Sequence, residues 1–168
     1  MIALFVGRFQ PLHKGHEKVI RNLLKKYEKV IVAIGSINQK RSFKNPFTFI
    51  ERKKMFEILF KNEIKKGKIE IIGIKDYFND EKWSNALIKR KHFDVVVTGN
   101  KWTERCFKRK KKIEKVKIWK REIYEGRKIR KMMIEGNLKW KEAVPKEIVN
   151  YLEKIVFKQF FKLLKQKR

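Results

Sequence analysis

The sequence predicts an α/β protein with a doubly wound parallel sheet and helices on both faces. Short apolar runs alternate along the 168 residues with longer segments whose apolar side chains recur at helical spacing. The short runs are almost continuously apolar, which is typical of parallel strands that are buried on both faces. With 42% hydrophobic residues the chain can form one substantial core, so we expect a single domain over residues 1–168.

Five apolar runs are candidate strands. They cover residues 1–6, 29–35, 69–74, 93–99 and 114–119. The segments between them have the apolar spacing of helices, so successive parallel strands are expected to be joined by right-handed crossovers.

The first helix is expected to begin near Gly15, because apolar side chains recur at helical spacing from Val19 to Tyr27. The second helix carries start and stop signals of its own. These are Asn45 as the N-cap, Pro46 in the first turn, Lys65 and Lys66 near the end, and Gly67 beyond it.

The last helix is expected from about Pro145 and leads into a basic tail, residues 157–168. We expect this tail to pack on the domain or on another subunit rather than to anchor in a membrane. No apolar run is long enough to cross a bilayer, and the N-terminus lacks the features of a secretion signal. The single cysteine, Cys106, excludes an internal disulfide and a cysteine-based zinc cluster. These features predict a soluble cytoplasmic protein.

The chain has an extreme positive charge. It contains 46 Lys and Arg residues against 18 Asp and Glu residues, a formal net charge of +28. Such a charge attracts polyanions, whether nucleic acid, an anionic membrane or phosphorylated small molecules. A lysine-rich compositional bias explains the same number without any ligand, so charge alone identifies none.

Open parallel sheets bind ligands beyond the carboxyl ends of their strands. The residues that follow the five predicted strands are therefore candidates for a binding site. They are Gly7 and Arg8 with the histidine loop, Gly35 and Ser36, Lys75 and Asp76, Gly99 and Asn100, and residues 121–130. Glycines, small polar residues, cations and histidines are thus expected to meet at one edge of the sheet.

The loop after the first strand reads GRFQPLHKGH and contains two of the three histidines, His13 and His16. It precedes a helix that starts near Gly15, where unpaired N–H groups and the helix dipole favour a phosphate. Imidazole donors there can follow charge as it develops on phosphorus. A metal pair and two incidental surface histidines are the alternatives. No Walker A, GxGxxG, nucleophile-elbow or HExxH motif is present, which excludes the common ATPase, dehydrogenase, hydrolase and metalloprotease interpretations. No cysteine or further histidine lies nearby to complete a metal site, and two of three histidines share one glycine-bearing loop, so phosphate chemistry is the favoured interpretation.

This loop closely resembles the HxGH signature of the nucleotidyltransferase superfamily. The flanking residues resemble its archaeal-type nicotinamide-nucleotide adenylyltransferase branch. The similarity continues, in order, through IGS at 34–36, NPFT..ER at 45–52, IKD at 74–76 with Trp83, TGN at 98–100, and IRKMM…G..W…VP at 129–145. It implies a Rossmann-like sheet of the nucleotidyltransferase type. It also implies transfer of AMP from ATP to nicotinamide mononucleotide, which forms NAD and pyrophosphate without a covalent enzyme intermediate.

The resemblance also implies roles for individual residues. The catalytic residues would be His13, His16 and Arg130. ATP would be bound by these three and by Gly7, Arg8, Gly15, Asn100, Gly126 and Arg127. The mononucleotide would be bound by Ser36, Asp76 and Trp83. No residue is assigned as a metal ligand, and Mg²⁺ would enter with ATP. The family often forms homo-oligomers.

Two positions depart from the family's second signature, a run rich in Ser and Thr that ends in arginine. Glu125 and Arg127 stand where hydroxyl residues are expected, while Gly126 and Arg130 match. Trp102 stands where a smaller aliphatic residue is expected. Three assigned residues also have simpler interpretations. They are Trp83 as a core residue, Asp76 as a solvated loop residue and Asn100 as a helix cap.

Two other functions remain open at this point. One is a nucleotidyltransferase of the same superfamily with another phosphate acceptor, such as FMN or phosphopantetheine. The other is a basic nucleic-acid-binding protein built on the same fold, because of the net charge and the lysine-rich run at 108–121.

Overall fold

The computed structural model of the chain describes residues 1–117, 119–120 and 122–165. Thirteen elements follow one another along these described ranges. They are β1 (Ile2–Gly7), α1 (Lys14–Lys26), β2 (Lys29–Ile34), α2 (Phe49–Leu59), α3 (Lys61–Lys65), β3 (Ile69–Gly73), α4 (Asp80–Arg90), β4 (Val95–Thr98), α5 (Lys101–Phe107), β5 (Lys112–Lys115), α6 (Gly126–Ile134), α7 (Trp140–Ala143) and α8 (Lys146–Lys165).

The strands form one sheet in the order β3-β2-β1-β4-β5, and all neighbours are parallel. Leu4 of β1 pairs with Ile31 of β2 on one side and with Val96 of β4 on the other. The order reverses between β1 and β4, so the loops that follow these two strands leave the sheet side by side. This is the point at which such sheets bind ligands.

Helices cover both faces, which confirms the predicted fold class. On one face, Ala3 and Phe5 of β1 contribute to a core cluster with apolar side chains of α1, α2, α6, α7 and α8. On the other face, Leu4 and Val96 contribute to a second cluster with α4 and α5. Side chains of a strand alternate between the two faces, so the inner strands β1, β2 and β4 contribute apolar side chains to both clusters.

The predicted start of the second helix was wrong. Its N-cap is Thr48, not Asn45, because Thr48 and Glu51 form a capping box in which each side chain accepts from the other residue's N–H. The helix is also interrupted at Phe60, which separates α2 from α3. Gly67 follows α3 with a φ of +70°, the left-handed conformation that glycine adopts most easily.

The fifth strand was predicted too late in the chain. β5 covers Lys112–Lys115, whereas the apolar residues that favoured 114–119 lie after it, and residue 118 is outside the described residues. β5 is an edge strand, and its two terminal lysines are exposed to solvent. Edge strands tolerate such charges because only one of their sides is paired.

The beginnings of α1 at Lys14 and of α8 at Lys146 agree with the sequence signals. The predicted packing of the basic tail concerns side chains outside the described residues. Within the described part of the chain, no helix combines the length and apolar character needed to span a bilayer.

Candidate active site

The histidine loop ends at the N-terminus of α1. His13 is the N-cap residue, and its Nδ1 atom accepts a hydrogen bond of 3.3 Å from the backbone N–H of His16. The two imidazole rings are stacked, with centroids 3.6 Å apart and an interplanar angle of 21°. Because Nδ1 of His13 is an acceptor, the neutral ring carries its proton on Nε2.

Both histidines are uncharged at neutral pH. Burial lowers the pKa of His13 to about 3, and only 3% of this residue is exposed. Burial also lowers the pKa of His16, and the neighbouring His13 lowers it further. The Nδ1 atom of His16 is buried and has no hydrogen-bond partner among the described residues.

Gly7 has a steric role in holding this loop. A Cβ atom at residue 7 would lie 2.7 Å from the ring of Phe9, so only glycine lets that ring pass. Phe9 has a φ of 49°, and its ring contacts His16 edge-on with centroids 4.8 Å apart. Gly7 therefore acts through Phe9 on the position of His16.

A buried arginine joins the loops that follow β1 and β2. Arg52 is 1% exposed, and its guanidinium donates hydrogen bonds of 2.7 Å to the carbonyl oxygens of Arg8 and Gly35. Burial and the neighbouring charge of Arg8 lower its pKa to about 10, so it remains charged at neutral pH.

Arg52 is part of the NPFT..ER motif at 45–52, but this motif alone predicts no role for it. The sequence pattern could have marked Arg52 as a buried charge, because the buried positions of α2 have helical spacing and Arg52 is the only charged residue among them. These positions are Arg52, Met55, Phe56 and Leu59.

Gln10 ties the histidine loop to two other segments. Its buried side chain exchanges hydrogen bonds with the backbone of Phe47, 2.8 Å as donor and 3.0 Å as acceptor. The main-chain carbonyl oxygen of Gln10 accepts a hydrogen bond of 2.7 Å from Nη1 of Arg130. A Cβ atom at Gly126 would lie 3.2 Å from that carbonyl and 3.1 Å from Arg130, so glycine allows this close approach of α6.

Three arginines at this edge of the sheet repel one another. Burial lowers the pKa of Arg130, the charges of Arg8 and Arg127 lower it further, and the carboxylate of Glu125 raises it. Glu125 thus offsets part of the repulsion. It is also the N-cap residue of α6, yet its side chain forms no capping hydrogen bond. Uncapped N–H groups beside clustered guanidiniums form a site for an anion with several charges.

Ser36 and Asp76 are brought together as predicted, at the ends of β2 and β3. The Ser36 hydroxyl donates to one carboxylate oxygen of Asp76, and the Gln39 amide donates to the other, each at 2.9 Å. Asp76 also accepts through its main chain, from the side chain of Asn38 at 3.4 Å. Asp76 is therefore held in place by neighbouring residues, although its surface is exposed.

Trp83 is buried rather than open to a ligand. It is 2% exposed, whereas Trp102 is 37% exposed and covers it with ring centroids 4.6 Å apart. The indole N–H of Trp102 donates to Asp80 at 2.9 Å, and Arg105 donates to the same carboxylate. In this conformation a ligand can reach the Trp83 ring only if Trp102 moves.

Asn100 is a helix cap, which was the simpler of its two interpretations. Its Oδ1 atom accepts a hydrogen bond of 2.8 Å from the backbone N–H of Trp102 and so caps α5. Within the described residues, no group of three or more His, Cys, Asp or Glu side chains is arranged to hold a metal ion.

Residues 4–162 match the cytidylyltransferase-like family. Among curated proteins, the chain is 38% identical over 158 residues to nicotinamide-nucleotide adenylyltransferase 1 of Sulfolobus acidocaldarius, covering 92% of this chain and 90% of that protein. It is 36% identical over 162 residues to nicotinamide-nucleotide adenylyltransferase of Archaeoglobus fulgidus, covering 92% of each.

Solved structures agree. A bifunctional NMN adenylyltransferase/ADP ribose pyrophosphatase from Francisella tularensis, complexed with AMP and a manganese ion, superimposes with a TM-score of 0.83 and 27% identity. The match covers 99% of this chain but 52% of that protein, so the chain spans about half its length. Plasmodium falciparum nicotinic acid mononucleotide adenylyltransferase, at 15% identity and a TM-score of 0.63, supports the fold alone. This chain belongs to the cytidylyltransferase-like family and, within it, to the nicotinamide-nucleotide adenylyltransferases, a group of nucleotidyltransferases.

Proposed function

We propose that this chain transfers AMP from ATP to nicotinamide mononucleotide and releases pyrophosphate. The observation that carries the proposal is that Arg130, which belongs to a group of arginines, bonds to the loop of the two neutral histidines, where the strand order reverses between β1 and β4. The names of the relatives supply the acceptor.

The reaction needs groups that stabilise charge rather than a nucleophile of the protein. A phosphate oxygen of the mononucleotide attacks the α-phosphorus of ATP, and the bond from that phosphorus to the bridging oxygen of pyrophosphate breaks. His16, in the first turn of α1 and stacked on His13, is positioned to hydrogen-bond the α-phosphate as its oxygens gain charge. His13 supplies the Nε2–H donor that its capping bond leaves available.

The triphosphate would bind between the N-termini of α1 and α6. Arg8 and Arg130 would grip its oxygens, together with Arg127 and the N–H groups near Gly15 and Gly126. Binding of this anion relieves the repulsion among the arginines. We propose that Mg²⁺ accompanies ATP and neutralises the phosphate oxygens, since the described residues offer no acidic cluster to hold it.

The acceptor would bind beside Ser36 and Asp76. A carboxylate accepts from the N–H groups of a nicotinamide carboxamide but repels the carboxylate of nicotinate, so we infer a preference for the amide. Stacking of the nicotinamide ring on Trp83 requires Trp102 to turn away first.

The test is an assay of the purified chain with Mg-ATP and each acceptor in turn, following pyrophosphate and the dinucleotide. We expect NAD from nicotinamide mononucleotide and slower turnover of nicotinate mononucleotide. Efficient turnover only with FMN or phosphopantetheine would replace this proposal with the related one. A His92→Ala variant serves as control, because His92 is exposed and lies outside the proposed site.

A further inference from the structure

The outer face of α1 carries a stripe of cations that the proposed reaction does not use. Lys14, Lys18, Arg21 and Lys25 are spaced by four, three and four residues, which places them along one side of the helix. At a rise of about 1.5 Å per residue, the stripe is roughly 16 Å long, with charges about 5–6 Å apart. The opposite side of α1 is buried against the sheet.

Trp119 lies against this stripe. The four cations, Trp119, Glu17 and Asn22 line a groove of about 340 Å³. Trp119 is 39% exposed, and its ring stacks on Tyr124 with centroids 5.2 Å apart. The ammonium groups of Lys18 and Lys120 lie 4.1 and 4.9 Å from the centroid of the Trp119 ring. An aromatic ring is thus held at the surface among positive charges.

The positive charge of the groove is largely uncompensated. Glu17 is its acidic residue, and it is paired with Arg21 at 2.8 Å. Among the described residues, no carboxylate lies within ion-pair distance of Lys18 or Lys25. A row of unpaired cations is complementary to a ligand that has negative charges in a row.

We propose that this face of α1 binds single-stranded nucleic acid, with phosphates along the lysine stripe and one base stacked on Trp119. Aromatic rings among cations are the combination that single-strand-binding surfaces use. A base stacks on an aromatic ring more strongly than an exposed lysine binds to it, so the base displaces Lys18. The released ammonium of Lys18 is then available to a phosphate. A duplex keeps its bases paired and cannot make the stacking contact.

The electrostatic part is tested by fluorescence anisotropy with labelled 15-residue oligo(dT) and oligo(U) at several salt concentrations. The double variant Lys18→Gln/Lys25→Gln removes two stripe charges. It should lower affinity about tenfold and reduce the slope of log affinity against log salt by about 1.4, or 0.7 for each phosphate contact. The matched control is Lys65→Gln/Lys66→Gln, which removes two exposed charges beside β3, at the other edge of the sheet. It should change affinity less than about twofold.

The stacking part is tested with Trp119→Ala, which should weaken binding of both oligonucleotides about tenfold. Trp119→Phe keeps an aromatic face and should lose about threefold at most. Phe78→Ala removes a fully exposed aromatic ring elsewhere on the surface and should leave binding unchanged. Far-UV circular dichroism confirms that each variant is folded.

Four outcomes overturn the proposal. They are equal losses in the two lysine pairs, no loss in Trp119→Ala, no binding at about 150 mM salt, and binding of a duplex or of inorganic polyphosphate as tight as that of the oligonucleotides. The substituted residues, Lys18, Lys25 and Trp119, lie outside the proposed reaction site. A failure of the proposed adenylyl transfer can therefore be distinguished from a failure of the proposed oligonucleotide binding.

Discussion

The two halves of the proposed site are built in different ways. The phosphate half is held by buried groups that bond to the backbone, such as Arg52, Gln10 and the His13 cap. The acceptor half is held by side chains at the surface, where Asp76 and Asp80 organise their neighbours. Substitutions in the phosphate half are costly because its groups are buried. Residues of the acceptor half lie at the surface and can be replaced at less cost. Reaction type should therefore depend on the first half and acceptor choice on the second.

The largest expected effect lies in the phosphate half. His16→Ala removes a donor to the α-phosphate and should lower kcat about 100-fold or more, the scale of losing one such hydrogen bond. Initial rates of pyrophosphate release measure this, with His92→Ala as the control. A kcat within threefold of the unaltered chain would remove His16 from the proposed chemistry.

The next largest effect is expected at Arg52, which contacts no substrate in the proposed reaction but holds the loops that follow β1 and β2. Arg52→Lys keeps the charge but cannot reach the carbonyls of both Arg8 and Gly35. We expect kcat to fall about tenfold and the free energy of unfolding to fall by about 2 kcal/mol. Arg90→Lys is the comparison, because Arg90 donates to one carbonyl, that of Gly73. If both variants lose stability but neither loses turnover, Arg52 has no positioning role.

The buried state of the histidines gives a pH dependence to stability. The pKa of His13 is about 3 in the folded chain, against about 6.5 when unfolded. The unfolded chain therefore binds an extra proton as pH falls below about 6.5, and the free energy of unfolding decreases.

Between pH 7 and 5.5 this loss should be about 1 kcal/mol for His13, with a further loss in the same direction for His16. Urea unfolding without substrate measures it, above the range where carboxylates titrate. His13→Asn keeps a capping side chain and should remove the share of the slope that His13 contributes. A slope unaffected by His13→Asn would contradict a buried neutral histidine.

The smallest effect is expected in the acceptor half. Trp102→Leu uncovers Trp83 and should lower the KM for nicotinamide mononucleotide about threefold, with kcat and the KM for ATP unchanged. Steady-state kinetics with each substrate varied in turn measures this. A higher KM for the mononucleotide would show instead that its ring stacks on Trp102 itself.

The same contrast explains what could be predicted from the sequence. β1, β2 and β4 lie inside the sheet and are almost continuously apolar, whereas β5 is a charged edge strand and was placed too late. The histidine loop is a local pattern, so its position at the start of α1 was predicted. The contacts of Gln10 with Phe47 and Arg130 join residues 37 and 120 positions apart, and no local pattern encodes them. Likewise, the contact of Trp83 with Trp102 joins two different helices.

The hydrogen bond from Arg130 to the carbonyl of Gln10 also bears on the order in which the protein becomes competent. During synthesis the histidine loop and β1 to β3 emerge long before α6. A chain that stops short of residue 126 has every strand of the sheet yet lacks the element that closes the phosphate half. Catalytic competence is therefore among the last properties that the growing chain acquires.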